Sequence, residues 1–315
     1  MIRKCAPVII ATLNRSEHFI RLIESLRKNS WAKYTDVYIG LDYPPSEKYW
    51  DGYNVICKYL SGEFSEFASF NIIKRPYNYG SIKNFADLRN YVLERYDRFI
   101  RTDDDAEFSP NFLEYINLCL DKYEFDGDVI AVTGYSYPLK WRISQNANVF
   151  KESFICPSWG TGFWRSKYIG MCEYIESGEI ANNINDFVYS DSFETMLTTS
   201  KIEFTNLCLS SRHIENTFAS IISDISIRIY MAQSHKYVIM PVISKVRNWG
   251  FDGSGEYCEK GINSKRKVNA YNYSYNKQEL DSSEHFRINE DQLSAHEYNR
   301  KLFNKFDRSP LIARI

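Results

Sequence analysis

The chain has 315 residues, enough to bury the core of one large domain or of one domain with appendages. Its 39 basic and 40 acidic residues leave a formal net charge of -1, so no overall electrostatic field attracts nucleic acid or an anionic membrane. The seven cysteines are scattered without a CxxC pair, which argues against a zinc site and fits reduced thiols. The sequence shows no signal-peptide core and no apolar run of membrane-spanning length, so we expect a cytoplasmic setting.

Short apolar runs alternate with amphipathic stretches through the first third of the chain. Predicted strands cover residues 7–12, 36–41, 70–74 and 98–102, and predicted helices begin at Ser16, Ser46 and Ser81. Each strand is thus followed by a helical pattern. This alternation predicts an α/β fold with a mostly parallel sheet and helices on both faces.

The same alternation continues with longer interruptions. The pattern predicts a helix over 111–123, a strand over 129–134, a long loop over 135–152, a helix from Ser223 and a strand over 237–241. Residues 173–216 are polar and helix-like, which suggests an insertion over a site. Residues 248–255 form a turn-rich loop, and the chain from Lys260 onward is charged and aperiodic, as in a peripheral tail.

Three consecutive carboxylates, those of Asp103, Asp104 and Asp105, follow the fourth predicted strand. Because like charges repel, such a run needs a counter-charge, and hard divalent cations take carboxylate oxygens as ligands. The carboxyl ends of strands in an open α/β sheet are also where ligands bind. The alternative is an acidic helix N-terminus, where aspartates complement the helix dipole.

The ordered motifs resemble nucleotide-sugar glycosyltransferases of the GT-A fold, a Rossmann-like architecture. Within that group the chain is most similar to family 2 and N-acetylglucosaminyltransferase I-like enzymes of bacterial polysaccharide type. The segments that carry the resemblance are Ala11-Thr12-Leu13-Asn14-Arg15-Ser16, the stretch from Asp103 to Phe112, and Asp224 one helix and one strand before Pro241. The resemblance covers about residues 5–255. It departs from the usual pattern at Asp103, where such enzymes have Glu, and around Asp224.

The resemblance implies a donor site built from the ends of successive strands. Arg15 would contact the diphosphate, since a guanidinium matches phosphate oxygens. Asp105 would hold Mn²⁺ or Mg²⁺, with Asp103 as the second candidate metal ligand. The remaining implied contacts to the nucleotide sugar, UDP-linked by expectation, are Thr12, Asn14, Asp42, Asn84, Asp103 and Asp104.

The resemblance also implies an acceptor site and an inverting transfer. Asp224 would be the general base that deprotonates an acceptor hydroxyl. An acceptor or donor-sugar platform would comprise Trp159, Gly160, Gly162, Phe163 and Trp164. The acceptor class would be a glycan or a lipid-linked glycan, with the inner face of the membrane as an alternative location.

Each assignment has a structural alternative. Arg15 is otherwise an exposed loop arginine, and Asp42 a residue that starts the turn before Pro44. Asp224 is otherwise a helix cap, and the aromatic residues of 159–164 belong to the core. Two other functions compete: a non-catalytic carbohydrate-binding protein on the same fold, and a metal-dependent nucleotidyltransferase, which would be expected to show a glycine-rich phosphate loop that the sequence lacks.

The predicted domain division follows from the extent of the resemblance. Residues 1–255 form the glycosyltransferase domain, with a nucleotide-binding half over about 1–108 and an acceptor half over about 109–255. Residues 256–315 form a C-terminal extension.

Overall fold

The computed structural model describes residues 5–136, 146–153, 156–182, 224–252, 254 and 279–290. Numbered over this part of the chain, the strands are β1 (Val8–Thr12), β2 (Asp36–Leu41), β3 (Ser69–Lys74), β4 (Arg98–Asp103), β5 (Ala106–Phe108), β6 (Val129–Thr133), β7 (Val149–Glu152), β8 (Thr161–Trp164), β9 (Tyr237–Pro241) and β10 (Val246–Asn248). The α-helices are α1 (Ser16–Arg27), α2 (Trp50–Tyr59), α3 (Gly80–Leu93), α4 (Phe112–Lys122), α5 (Arg165–Glu176), α6 (Glu179–Asn182) and α7 (Asp224–Gln233).

Eight of these strands form one mainly parallel sheet in the order β3-β2-β1-β4-β8-β6-β9-β7. The strands β3, β2, β1 and β4 are mutually parallel, and β9 is parallel to β6. The strand β8 runs antiparallel between β4 and β6, and β7 is an antiparallel edge strand beside β9. The predicted α/β fold with a mostly parallel sheet is therefore confirmed.

Helices cover both faces of the sheet, as predicted. In β1, Val8 and Ile10 point to the core cluster that also holds side chains of α1, α2 and α4. Ile9 points the other way, into the cluster built with α3, α5 and α7. This alternation is the period of two expected of a strand buried on both sides.

Two strands lie in segments for which the sequence predicted none. The loop predicted over 135–152 ends in β7, whose Val149 and Phe150 are buried against β9. The Gly and aromatic segment contributes β8 in the middle of the sheet. Both strands are only four residues long, and neither alternates apolar with polar residues, so the usual sequence signal of a strand is missing.

Part of the predicted C-terminal extension packs on the domain. Phe286 is buried against Tyr115 of α4, with ring centroids 5.0 Å apart. Lys245, itself buried, forms an ion pair with Asp281. The segment 279–290 is therefore a strap across α4 rather than a peripheral tail, whereas the boundary near residue 255 stays a prediction.

Within the described residues, no helix combines the length and the apolar character that crossing a membrane requires.

Candidate functional site at the carboxyl edge of the sheet

The carboxyl ends of β1 and β4 bring the predicted donor-site residues Thr12, Arg15, Asp104 and Asp105 together. The hydroxyl of Thr12 donates to Oδ2 of Asp104 at 2.9 Å. The guanidinium of Arg15 spans both carboxylates, donating to Asp104 Oδ1 and, at 2.8 Å, to Asp105 Oδ2. The parallel register places Ala11 opposite Asp103, so the loops after the two strands meet at this edge. One arginine thus holds two adjacent aspartates at the place where α/β sheets bind ligands.

The acidic triplet divides into one exposed and two buried carboxylates. Asp103 ends β4 and has 39% of its side chain exposed, with Arg101 4.0 Å away. Asp104 and Asp105 turn inward, with 7% and 10% of their side chains exposed. Oδ1 of Asp105 is buried and has no hydrogen-bond partner. A buried carboxylate oxygen without a donor is costly, and a proton or a cation on this atom would remove that cost.

Burial is the largest influence on the pKa values of Asp105 and Arg15. Desolvation raises the pKa of Asp105 to about 7, against the lowering effect of Arg15 and with the support of the charges on Asp103 and Asp104. Burial disfavours the charged form of Arg15, but the two neighbouring carboxylates outweigh it and raise the pKa of Arg15. The guanidinium is therefore always charged, and the three carboxylates carry more negative charge than it neutralises.

A divalent cation fits this site on the chemistry of its donors. Among the residues that the structure describes, no three His, Cys, Asp or Glu side chains are grouped as a metal shell. Mg²⁺ is usually bound by one or two carboxylates together with substrate phosphates and waters, so a complete protein shell is not required. Asp105, with its unpartnered Oδ1, is the residue that would hold the ion. Asp105 and Asp103 as metal ligands both stay predictions.

Asp42 lies directly after β2 and organises the next loop. Its Oδ1 accepts hydrogen bonds from the amides of Tyr43 at 2.9 Å and Tyr79 at 2.8 Å. Its Oδ2 accepts from the amide of Gly80 at 2.9 Å and from Asn78 at 3.2 Å. A carboxylate has about four lone-pair sites, so Asp42 has no acceptor capacity left. Its predicted contact to a base or ribose stays a prediction that requires one of these bonds to open.

Asn84, predicted to contact the nucleotide sugar, has a structural role in the described fold. Asn84 is 2% exposed and fastens α3 to the sheet. Its amide nitrogen donates to the carbonyl of Gly40 at 2.8 Å, and its Oδ1 accepts from Nε of Arg75 at 2.8 Å. Both polar atoms of the side chain therefore have protein partners, and its contact to the nucleotide sugar stays a prediction.

Two aromatic residues of the predicted platform, Phe163 and Trp164, are buried in the core, and their ligand role stays a prediction. Register pairs Arg101 with Thr161 and Arg98 with Trp164, so β8 runs away from the site edge. Trp164 lies at the far end, 3% exposed, and Phe163 is 2% exposed against Phe99 and Tyr168. Neither ring offers a face to a sugar.

The two predicted platform glycines serve packing. Gly160 has a φ of +63°, and Gly162 leaves room for α4, since a Cβ there would lie 2.9 Å from Ile116. Trp159 is half-buried, its ring centroid lies 4.7 Å from that of Tyr135, and its ligand role stays a prediction.

For two further predicted site residues, Asn14 and Asp224, the structure gives the position of the backbone. The carbonyl of Asn14 accepts from the amide of Ser16 at 2.9 Å and packs against Gly52, where a Cβ would overlap it. Asp224 is the first residue of α7, which ends four residues before β9. Roles for Asn14 in nucleotide binding and for Asp224 as general base stay predictions.

The structure adds residues to the site that the sequence patterns did not single out. The amide of Trp249 donates to the carbonyl of Asp105 at 2.8 Å, and Gly250 packs directly on the Asp105 carboxylate. Arg75 directly follows β3 and is buried, but it donates to Asn84 and Asp87 and so supports α3 rather than the acidic site. Strand-end position was the available signal for Arg75. Trp249 and Gly250 lie about 145 residues after the triplet, so only their turn-rich composition was visible.

Comparisons with protein-family models and with curated protein sequences give no match. Among solved structures, the chain is similar to a mannosyltransferase from Pyrobaculum calidifontis in complex with GDP-Man and Mn²⁺, with a TM-score of 0.38, 15% identity, and coverage of 53% of this chain and 46% of that one. It is also similar to residues 1–349 of S. aureus TarS in complex with UDP-GlcNAc, with a TM-score of 0.35, 16% identity, and coverage of 51% and 46%. The chain thus spans about half the length of these proteins.

Proposed function

We propose that this protein is a metal-dependent glycosyltransferase of the GT-A type that takes its sugar from a nucleoside-diphosphate donor, with UDP as the favoured nucleotide. The observation that carries the proposal is the group formed by Arg15, Asp104 and Asp105, with Oδ1 of Asp105 buried and unpartnered. A diphosphate and a divalent cation together offer a partner to every member of this group.

Arg15 and Asp105 have complementary roles in this proposal. The guanidinium of Arg15 donates to diphosphate oxygens, with the planar geometry that suits two oxygens at once. The carboxylate of Asp105 holds Mn²⁺ or Mg²⁺, which supplies Lewis-acid stabilisation of the charge on the departing diphosphate. Thr12 keeps Asp104 oriented through its 2.9 Å hydrogen bond, and Asp104 faces the ribose or the sugar.

The transfer step follows from the resemblance in sequence. Asp224, at the start of α7, accepts the proton of an acceptor hydroxyl as that oxygen attacks the anomeric carbon. A single displacement of this kind inverts the anomeric configuration. The proposed acceptor is a hydroxyl of a glycan or lipid-linked glycan, the transferred group a hexosyl or N-acetylhexosaminyl residue, and the proposed location the cytoplasm or the inner face of the membrane.

The test is donor turnover with a pair of arginine variants at opposite ends of helix α1. Purified protein is incubated with UDP- and GDP-sugars with and without Mn²⁺, and released UDP or GDP is measured. We expect metal-dependent release from at least one donor, and about a hundredfold loss in Arg15→Ala because two charge-assisted hydrogen bonds disappear. Arg27→Ala is the control, since Arg27 pairs with Glu24 and Glu66 at the surface.

The competing functions give different products. A nucleotidyltransferase would release pyrophosphate or a nucleoside monophosphate, and a non-catalytic binding protein would bind a donor without releasing any diphosphate. Folded wild-type protein that consumes no donor, or Arg15→Ala with wild-type turnover, would contradict the proposal.

A further inference from the structure

The turn at Trp249 and Gly250 is held tightly against the acidic triplet. The strand β10 pairs antiparallel with β5, with Asn248 opposite Ala106. One residue further on, the amide of Trp249 donates to the carbonyl of Asp105 at 2.8 Å. The amide of Gly250 then donates to Oδ1 of Asn248 at 2.7 Å. The backbone of the turn is therefore tied to the residues that follow Asp104.

Gly250 leaves no room for a side chain on the side of Asp105. A Cβ atom at this position would overlap Oδ2 of Asp105 and lie 2.8 Å from its Cγ. The backbone of Gly250 is not in the left-handed region that favours glycine, so conformational freedom does not explain the residue. The missing Cβ matters because of what occupies its place, the carboxylate of Asp105.

Side-chain contacts on either side hold the turn in position. The indole nitrogen of Trp249 donates to Oε2 of Glu107 at 2.7 Å. Nε2 of His18 on α1 lies 3.1 Å from the carboxylate of Asp252 and 3.2 Å from the hydroxyl of Ser254. With the turn tied at both ends, the carboxylate of Asp105 is the part that must move if Gly250 gains a side chain.

We propose that Gly250 is a positioning residue for the cation site. This proposal rests on the proposed function. The space beside Gly250 lets the Asp105 carboxylate lie with Oδ2 facing Arg15 and with Oδ1 available to the metal. A methyl group at position 250 rotates or displaces this carboxylate. The site then loses metal affinity, although the fold is kept.

The experiment compares Gly250→Ala with Gly170→Ala. Gly170 lies in α5, and a Cβ added there would meet no neighbouring atom within 4 Å. Each purified protein is titrated with Mn²⁺ at a fixed concentration of UDP or GDP, and the melting temperature is recorded. We expect at least a tenfold increase in the Mn²⁺ concentration needed for half of the stabilisation in Gly250→Ala, in line with the effect of other residues that orient metal ligands. Gly170→Ala should follow the wild type. Wild-type Mn²⁺ dependence in Gly250→Ala would overturn the proposal.

A double-mutant cycle tests the steric contact without any ligand. Asp105→Ala removes Oδ2 and Cγ, the two nearest atoms that a Cβ at position 250 would meet, and leaves Oδ1 of Asn248 at 3.2 Å. Gly250→Ala should therefore lower the melting temperature in the wild-type background and lower it clearly less in the Asp105→Ala background. Equal effects in both backgrounds, or failure of both Gly250 variants to fold, would overturn the proposal. If the wild type binds no nucleotide with Mn²⁺ but the cycle shows this coupling, the proposed function fails while the steric contact stands.

Discussion

The buried carboxylate of Asp105 should make the metal-free protein less stable at neutral pH than it is in mild acid. Burial, with the neighbouring charges of Asp103 and Asp104, raises the pKa of Asp105 from its ordinary value of 3.8 to about 7. Between these two values the folded state keeps a proton that the unfolded chain releases. The free energy of unfolding therefore falls as the pH rises from about 4 to about 7 and levels off above that.

Replacement by asparagine removes this penalty. A difference of about three pKa units corresponds to ~4 kcal/mol at pH 8. Asp105→Asn places an unpaired amide group where Oδ1 lies, which costs about 1–3 kcal/mol at every pH. We therefore expect Asp105→Asn to be about 1–3 kcal/mol more stable than the wild type at pH 8, and less stable than the wild type near pH 4.

Urea unfolding at pH 4 and pH 8 in the presence of a chelator measures both values. Asp51→Asn, at an exposed position of α2, is the control and should stay within about 0.5 kcal/mol of the wild type at either pH. A difference between Asp105→Asn and wild type that does not change with pH would refute the reasoning. It would mean that the carboxylate is ionised and satisfied throughout.

Three further substitutions test the structural roles found at this edge and behind it. Asn84→Ala should lower the free energy of unfolding in urea by about 2–4 kcal/mol, because it removes two buried hydrogen bonds and leaves Arg75 short of a partner. The nucleotide affinity of the folded variant should stay unchanged. A lost affinity would indicate that Asn84 contacts the nucleotide. Trp164→Phe should lower the free energy of unfolding by about 1–2 kcal/mol, because the indole loses its hydrogen bond to an α4 carbonyl. The Michaelis constant for the acceptor should not change. A raised constant would indicate that Trp164 contacts the acceptor. Asp281→Ala should lower the free energy of unfolding by about 3–5 kcal/mol, because Lys245 stays buried without its partner. Limited proteolysis should then cut the strap of residues 279–290. Resistance to proteolysis equal to that of the wild type would show that the ion pair does not hold the strap.

The sequence was most informative where one physical rule acts locally. Strand β1 and helix α1 follow from a short apolar run and from Phe19, Ile23 and Leu26 at helical spacing. The meeting of Arg15 with the acidic triplet follows from parallel strands ending at one edge. These features need no knowledge of distant contacts.

The sequence was least informative where side-chain direction or distant partners decide. Phe163 and Trp164 look like a ligand platform until the antiparallel direction of β8 carries them away from the edge. From sequence, Asn84 resembles a polar contact for a nucleotide sugar, but in the fold its side chain is hydrogen-bonded to Arg75 and to a β2 carbonyl. Gly250 meets Asp105 through the pairing of β5 with β10, which no short-range pattern reveals.

The central claim is that Arg15 and Asp105 bind a nucleoside diphosphate together with a divalent cation. The most direct measurement is the melting temperature against a panel of nucleoside diphosphates with and without Mn²⁺, for the wild type and Asp105→Ala. A ligand that binds only the folded state at a hundred times its Kd stabilises it by about 2.7 kcal/mol. We predict that UDP or GDP raises the melting temperature of the wild type only with Mn²⁺, and that Asp105→Ala shows no such rise. An unchanged melting temperature with every nucleotide would contradict the account and leave the triplet with a structural role.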